Sequence, residues 1–338
     1  MKATLQKISE LTGFSTATVS NALKQKKGVN AQTIATITKV AHEIGYLGAN
    51  KITSIRFVQF KAGGQIVDDT PFFAQLYQGI EAECQEQGYE MLITTLQRDS
   101  ENFNMLLSQI LNNASCGVIF LATEMTQEDM TLLENSAAPL LMLDNWPEKA
   151  NCSALLIANT DSTCHAVEHL IENGHTKIGY LKCTERIKNF FYRQEGYLRA
   201  HALHGLQVQE KYDVMLPPGT SAAWKAMEEY LDTNPELPTA FFADNDNIAL
   251  GALKAFEARG INVPKDISVV GFDNLPFAEF CNPPLSTVHV PKYEMGRMAV
   301  RMLLDSVNSR LDIKIKAQIC TAFIKRNSVI NLKRNDEV

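Results

Sequence analysis

The side chains best suited to holding a small molecule stand directly after apolar, strand-like runs. They are Asp144 and Asn145 after PLLML, Asp244, Asn245 and Asp246 after TAFFA, and Asp273 and Asn274 after ISVVGF. Arg193 opens the helical stretch that follows KIGYLK. Carboxylates, amides and a guanidinium each make paired hydrogen bonds to neighbouring hydroxyls, so this set suits a polyhydroxylated ligand.

Four aromatic residues offer flat apolar faces for a sugar ring: Phe72, Phe73, Trp146 and Trp224. Each single residue also has a structural explanation. Asp or Asn after a strand is usually a turn or a helix cap, and Asp246 is well placed to cap NIALGALKAF. Aromatics in PFFAQL are more often core. The convergence of several strand ends favours the binding site.

The elements that must position these residues alternate regularly along the chain. Strand-like runs are IRFVQF, YEMLITT, GVIFLA, PLLMLD, ALLIA, KIGYLK, DVMLP, TAFFAD and ISVVGFD. Helical stretches between and after them include FFAQLYQGIEAECQEQG, TCHAVEHLIENG, RQEGYLRAHALHG, NIALGALKAFEARG and YEMGRMAVRMLLDSV. This alternation predicts an α/β fold with mostly parallel sheets. Ligands of such sheets bind outside the carboxyl ends of the strands.

Two such sets are present, and the chain then returns to both. We therefore expect a body over residues 51–338 made of two lobes, each with a doubly wound parallel sheet. Lobe one is predicted over about 53–156 plus 289–316, and lobe two over about 158–285 plus 317–332. Residues 1–50 form a separate amino-terminal domain with a short linker.

Several functional classes find no support in the sequence. It contains no G-x-S-x-G, P-loop or H-E-x-x-H motif, so we expect no catalytic residues and no enzyme. Seven cysteines without a C-x-x-C pair indicate reduced thiols, no metal site and no cofactor. No signal peptide and no membrane-spanning run is evident, which favours a cytoplasmic protein without a membrane partner.

Residues 4–45 have the pattern of three short helices. Thr4, Ser15 and Asn30 are expected to cap them, while Gly13 and Gly45 end the first and third. The apolar residues predicted to face inward are Leu5, Ile8 and Leu11, then Val19, Ala22 and Leu23, then Ile34, Ile37, Val40, Ala41 and Ile44. This is the pattern of a helix-turn-helix.

The second helix suits recognition of the DNA major groove because its outward side is short and polar. Asn21 is expected to read an adenine edge, and Thr16 or Ala17 to touch a thymine methyl. Lysines just beyond the helix suit phosphates. The predicted DNA-binding set is Thr4, Ser15, Thr16, Ala17, Ser20, Asn21, Lys24, Lys26 and Lys27.

The distribution of charge favours a DNA-binding domain over the alternative interpretation, a small helical cap domain with a solvated lysine run. The first 50 residues hold six lysines and two acidic residues, a net charge of +4. The whole chain carries −6, which leaves −10 on the body. A basic head on an acidic body is typical of a DNA-binding domain attached to a sensor that does not bind DNA.

Over essentially its whole length the chain resembles the lactose-repressor/galactose-repressor family. Matching stretches include GFSTATVSNAL, HLIENGHTKIGYL, ADNDNIALGALKAFEARGINVPKDISVVGFDN and PPLSTVHVPKYEMGRMAVRMLL. The resemblance implies a homodimeric repressor of carbohydrate genes, with a periplasmic-binding-protein-like sensor and a palindromic operator in double-stranded DNA. It also implies sugar contact by Asp144, Arg193, Asn245 and Asp273. A phosphorylated sugar or a non-sugar metabolite remains an alternative effector, as does a small-molecule binding protein with weak DNA affinity.

The sequence departs from the family pattern at two places. Asn21 stands where the family usually has Arg. The family's hinge helix, normally P-N-x-x-A-R-x-L after G-Y, is replaced by LGANKITS, which runs directly into the first strand. Because that hinge normally places a leucine in the minor groove, we expect little operator bending.

Overall fold

The computed structural model describes residues 4–23, 29–44, 52–63, 66–67, 71–148, 152–308 and 313–333. Three short helices come first: α1 (Leu5–Thr12), α2 (Thr16–Leu23) and α3 (Ala31–Glu43). They enclose a small apolar core whose fully buried members are Ile8, Val19, Ala22, Ile37 and Ala41. The predicted three-helix head is confirmed.

The starts of these helices are fixed by the predicted caps. The acceptor side chains and the backbone amides they bind are Thr4 with Lys7 (3.2 Å), Ser15 with Thr18 (3.1 Å) and Asn30 with Thr33 (2.7 Å). Gly13 ends α1 with φ of 74°, a conformation that costs glycine little. The predicted stop at Gly45 lies outside the described residues.

The prediction that Leu11 faces the core of the head is wrong. Its side chain is 53% exposed, whereas Ile8 on the same helix is fully buried. Successive residues of an α-helix are rotated by about 100°, so two residues three apart differ in direction by about 60°. Leu11 lies six residues after Leu5 and therefore points about 120° away from it. A core of three short helices covers a narrower stripe than that.

Twelve strands and nine further α-helices follow in the described part of the body. In chain order they are β1 (Ser54–Lys61), α4 (Phe72–Glu86), β2 (Glu90–Gln97), α5 (Phe103–Leu111), β3 (Cys116–Leu121), α6 (Gln127–Thr131), β4 (Leu140–Leu143), β5 (Ser153–Ile157), α7 (Asn159–Glu172), β6 (Ile178–Cys183), α8 (Lys188–Leu203), β7 (Asp213–Leu216), α9 (Thr220–Asp232), β8 (Ala240–Ala243), α10 (Asp246–Ala258), β9 (Ser268–Asp273), α11 (Phe277–Phe280), β10 (Ser286–His289), α12 (Lys292–Asn308), β11 (Lys316–Ile319) and β12 (Ala322–Ile324). A short 3-10 helix, Glu210–Tyr212, precedes β7.

The strands form two six-stranded sheets. Their orders are β11-β5-β4-β3-β1-β2 and β12-β10-β9-β8-β6-β7. The pairs β1–β3, β3–β4, β6–β7, β6–β8, β8–β9 and β9–β10 are parallel, and β12 runs antiparallel to β10. The alternation of strands and helices in the sequence therefore predicted the sheet type correctly, because parallel neighbours need helical crossovers.

The chain divides into two compact units. The first contains residues 1–60, 80–154 and 297–316, and the second contains 61–79, 155–296 and 317–338. In the second unit α7 and α8 pack very closely at Gly196, where a Cβ atom would lie 2.3 Å from the carbonyl oxygen of Thr160. Glycine is therefore required at this helix contact.

A buried carboxylate joins α4 to α12 within the first unit. Glu83 has no exposed side-chain surface, and it accepts hydrogen bonds from Nε of Arg297 at 2.7 Å and Nε of Arg301 at 2.8 Å. Gln87 donates a further bond at 3.0 Å. The bond from Arg301, with those from Gln87 and Arg297, lowers the pKa of Glu83 to about 2 against the opposing effect of desolvation.

Candidate binding sites in the body and head

The second unit holds a preorganised polar cluster around Arg193, which is only 3% exposed on α8. Nε donates to Oδ1 of Asn159 at 2.9 Å, Nη1 donates to the carbonyl oxygen of Asp244, and Nη2 donates to Oδ1 of Asp273 at 3.3 Å. These bonds use three of the five guanidinium N–H groups. One N–H on each terminal nitrogen has no bond among the described residues, and this pair suits adjacent ligand oxygens.

Aromatic rings fix the position of the same guanidinium. Its central carbon lies 3.6 Å from the centroid of the Phe272 ring and 5.4 Å from that of Phe190. Cation–π contacts strengthen when the cation is removed from water, as it is here. The side chain of Arg193 is therefore held in one position by the fold alone.

Asp273 ends β9 in an unusual backbone conformation. Its φ is 105° and that of Asn274 is 51°, so two consecutive non-glycine residues are left-handed. Such conformations cost about 1–3 kcal/mol each and persist only where surrounding bonds enforce them. Asn274 is held by Arg326, which donates to its side-chain oxygen at 2.8 Å. Asp273 is 8% exposed, and its carboxylate lies beside the guanidinium of Arg193.

The run Asp244 to Asp246 has three different roles. Asn245, not Asp246, is the N-cap of α10, and its Oδ1 accepts from the amide of Ile248 at 3.0 Å. The predicted cap was thus wrong by one residue, because Asn245 has the extended backbone that a cap needs while Asp246 is already helical. The cap occupies Oδ1 of Asn245, so Nδ2 is the polar side-chain atom that the cap does not use.

Asp244 supports the site from beneath rather than facing a ligand. It is completely buried, and it accepts bonds from the Tyr180 hydroxyl at 2.5 Å, from the Cys183 amide at 2.7 Å and from Arg186. Its carbonyl oxygen receives Nη1 of Arg193. A carboxylate with this many partners fixes the loop after β8, which in turn fixes Arg193.

A separate polar group lies in the first unit after β4. Asp144 is 4% exposed with φ of 66°, and it accepts a 2.7 Å bond from the Thr123 hydroxyl. Asn145 ties this loop to the loop after β3, because it donates to the carbonyl oxygens of Ala122 and Met125 at 2.9 and 3.0 Å. The ring of Trp146 lies 3.6 Å from Nζ of Lys316. Asp144 and Trp146 thus belong to the same loop, which follows β4.

The other aromatic candidates are less alike. Phe72 and Phe73 are both 5% exposed, with ring centroids 5.2 Å apart. Trp224 packs against the apolar core beneath α9 and α10, and its ring lies 5.9 Å from Nζ of Lys254. The same apolar cluster contains Phe190. A packing role explains Trp224 at least as well as ligand contact.

Most residues predicted to read DNA from α2 lie on the exposed side of that helix. Thr16, Ala17 and Asn21 are exposed and Ser20 is half-buried, while Val19 and Ala22 face the core. Thr4 and Ser15 are exposed, but their hydroxyls serve as caps. The predicted phosphate contacts Lys24, Lys26 and Lys27 lie outside the described residues.

Comparison with known proteins decides the family. The chain is 31% identical over 310 residues to the HTH-type transcriptional repressor CytR of Escherichia coli (strain K12), which spans 91% of both chains. The chain belongs to the LacI family of transcriptional regulators. Another LacI-family relative, the repressor PurR of Haemophilus influenzae (strain PittEE), is 30% identical over 312 residues, 91% of this chain and 92% of that protein.

Solved LacI-family structures share the fold. A CelR–cellobiose complex matches 97% of this chain and all of that chain, with a TM-score of 0.73 and 25% identity. The lac repressor dimer bound to operator and an anti-inducer matches 98% of this chain and all of that chain, with a TM-score of 0.72 and 21% identity. Residues 167–329 match a periplasmic binding protein-like domain.

The structure adds members to the site that the sequence pattern did not identify. They are Asn159, Phe190, Phe272 and Lys292. Phe272 directly precedes Asp273, but its strand position predicts only core. Lys292 follows Pro291 in a stretch that matches the LacI family, yet a lysine at a helix start normally suggests solvent. Across the described residues no helix is long and apolar enough to cross a membrane.

Proposed function

We propose that this chain is a ligand-responsive repressor that binds double-stranded operator DNA as a homodimer through residues 1–50. The observation that carries the proposal is the surface of α2. Its exposed residues Thr16, Ala17 and Asn21 are short enough for the backbone to approach base edges, and the Ser15 cap fixes the entry of the helix. The charge of +4 on the first 50 residues supplies attraction to phosphates. Such a repressor works in the cytoplasm.

The effector that fits the body best is a polyhydroxylated molecule such as a sugar. Arg193 keeps two N–H groups for adjacent oxygens, and the Asp273 carboxylate beside it accepts hydroxyl protons. In the first unit, taken by itself, Asp144 offers an acceptor and Trp146 an aromatic face for the same class of ligand.

The dimer needs a self-complementary face, and α11 offers one in the second unit. Phe280 is 82% exposed and Phe277 is 64% exposed. Two exposed phenylalanines on one short helix are typical of an interaction surface. Directly after α11, Asn282 and Pro283 line a pocket of about 170 Å³ whose other walls include Leu253 and Ile261. A two-fold axis would place Phe280 of each copy against the same pocket of the other.

Two experiments test the proposal. Selection of bound sequences from random duplex DNA should yield a palindrome with the full chain and nothing with a variant that lacks residues 1–50. Tight operator binding by that truncated variant would refute the assignment of the head. A thermal-shift panel of sugars, phosphorylated sugars and non-sugar metabolites then identifies the effector class, and Tm should rise with the sugars.

A further inference from the structure

Lys292 is a buried cation at an unfavourable position. Lys292 is only 2% exposed. It is the first residue of α12, where the helix dipole disfavours positive charge. Burial lowers the pKa of the ammonium, with the Asp273 and Asp246 carboxylates opposing that effect. A charge retained under these conditions must make compensating bonds.

The bonds of Lys292 go to the carbonyls around the left-handed turn. Nζ donates to the carbonyl oxygens of Asp273 at 2.5 Å, Val290 at 3.3 Å and Asn274 at 3.4 Å. An ammonium has three N–H groups, so this set uses all of them. Two of the three acceptors, Asp273 and Asn274, are the consecutive residues with positive φ in this turn. The ring centroid of Phe72 lies 5.4 Å from the same nitrogen.

The carboxylate of Asp246 holds the same turn by accepting hydrogen bonds from its N–H side. One carboxylate oxygen accepts from the amide of Leu275 at 2.7 Å, and the other accepts from the Thr287 hydroxyl at 2.6 Å. The Thr287 oxygen in turn accepts from the amide of Asn274 at 3.4 Å. Room for the carboxylate exists because residue 271 is glycine, where a Cβ atom would lie 2.2 Å from Oδ1 of Asp246.

We propose that Lys292 and Asp246 are positioning residues for the effector site: they clasp the Asp273–Leu275 turn from its carbonyl and amide sides and so keep the Asp273 carboxylate aimed beside Arg193. Neither residue needs to touch the effector. The clasp follows from the geometry of the turn, and its consequence for effector affinity rests on the proposed function.

The clasp itself is tested by hydrogen exchange of the full-length, effector-free protein. Lys292→Met keeps the length and bulk of the side chain but removes its donors, and Asp246→Asn keeps the shape but presents a donor to an amide. In both variants the amides of residues 273–275, 277 and 278 should exchange about tenfold faster or more, because the opening free energy of the turn falls. The β8 strand, 240–243, should keep its protection. Lys265→Met, at an exposed lysine outside the cluster, is the matched control.

Unchanged exchange over 273–278 in Lys292→Met would overturn the clasp. A uniform rise over the whole second unit, with a lower Tm, would also overturn it, since that result means general destabilisation. A positioning role predicts a rise confined to the turn even if Tm falls, because removing one partner leaves the carbonyl acceptors of Lys292 unsatisfied.

Calorimetry with D-ribose and cellobiose tests the consequence for binding. For whichever sugar the parent protein binds, Lys292→Met should weaken affinity about tenfold or more, while operator affinity and Lys265→Met stay at the parent values. Equal sugar affinities of Lys292→Met and the parent would refute the positioning role, even if the amides of the turn exchange faster. If the parent binds neither sugar, calorimetry uses a sugar that raises Tm in the thermal-shift panel. The sugar class of the proposed function is wrong if no sugar of that panel binds, and the exchange result still decides the clasp.

Discussion

The guanidinium of Arg193 stacks on Phe272, with its central carbon 3.6 Å from the ring centroid. These residues come from α8 and β9, and the residue after Phe272 is Asp273, which accepts a bond from the same guanidinium. One strand therefore supplies both the ring that orients the cation and the carboxylate that pairs with it. Such preorganisation lowers the entropic cost of binding a ligand.

Replacing the stacked guanidinium should abolish the effector response without loss of operator binding. In Arg193→Lys one ammonium cannot reach Asn159, Asp244 and Asp273 together, so we expect at least about tenfold weaker effector affinity. Asp273→Ala should have the same effect. Titration of operator release in a mobility-shift assay measures the response. Arg199→Lys, an exposed position on the same helix, is the control; normal release by Arg193→Lys would place the site elsewhere.

Asn21 on α2 should carry base recognition. Asn21→Ala removes an exposed amide and should cost about 1–3 kcal/mol at one base pair in each half-site. Lys26→Ala should instead weaken all sequences about equally, since a phosphate contact carries no base information. Affinities for a set of single-base operator variants separate the two patterns. If Asn21→Ala loses affinity uniformly, Asn21 binds the backbone.

Glu83 should make the first unit sensitive to acid. Its folded-state pKa of about 2 lies below the usual 4.5, so its stabilisation is complete above about pH 4.5 and is lost as the pH falls towards 2. Glu83→Gln should lower the free energy of unfolding by about 1–3 kcal/mol at pH 7. Urea unfolding should show a smaller difference in the free energy of unfolding between Glu83→Gln and the parent at pH 3 than at pH 7.

The matched control for that experiment is Glu86→Gln. Glu86 contacts Arg297 as well, but its side chain is 56% exposed. An exposed ion pair contributes little, so we expect a change below about 1 kcal/mol at either pH. A Glu83→Gln effect that is the same at both pH values would show that its cause is packing rather than ionisation.

Phe280 should hold the dimer. Phe280→Glu places a charge in the proposed two-fold contact, so sedimentation should show monomers at concentrations where the parent is dimeric. Operator affinity should fall with it, because each half-site then binds alone. Phe191→Glu replaces another exposed phenylalanine, 54% exposed on α8, and should leave the dimer intact. Dimers of Phe280→Glu would exclude this face.

The linker predicts weak operator bending. Residues 47–54 lack the family's hinge-helix pattern, so no leucine wedge should enter the minor groove. A circular-permutation assay on the selected operator should therefore show little bend, and substitutions at its centre should be tolerated. A sharp central kink would mean that this segment inserts into DNA after all.

The sequence alone determined the elements and the class. Apolar runs of period two and amphipathic stretches of period 3.6 are local signals, so the strands, the three-helix head and the caps at Thr4, Ser15 and Asn30 were predictable. The position of Asp273 after a strand was equally visible. Leu11 was misjudged because periodicity does not state how wide the core of a small bundle is.

Tertiary structure decided which polar groups act on one another. The sequence pattern predicts one shared role for Asp244, Asn245 and Asp246. In the structure, Asp244 binds Tyr180, Asn245 caps α10 and Asp246 binds the turn after β9. Lys292 belongs to that turn although it is 19 residues beyond Asp273. Such assignments depend on contacts between elements distant in the chain, and no local periodicity encodes them. The physical reason is burial, which forces each charge to find a partner wherever the fold supplies one.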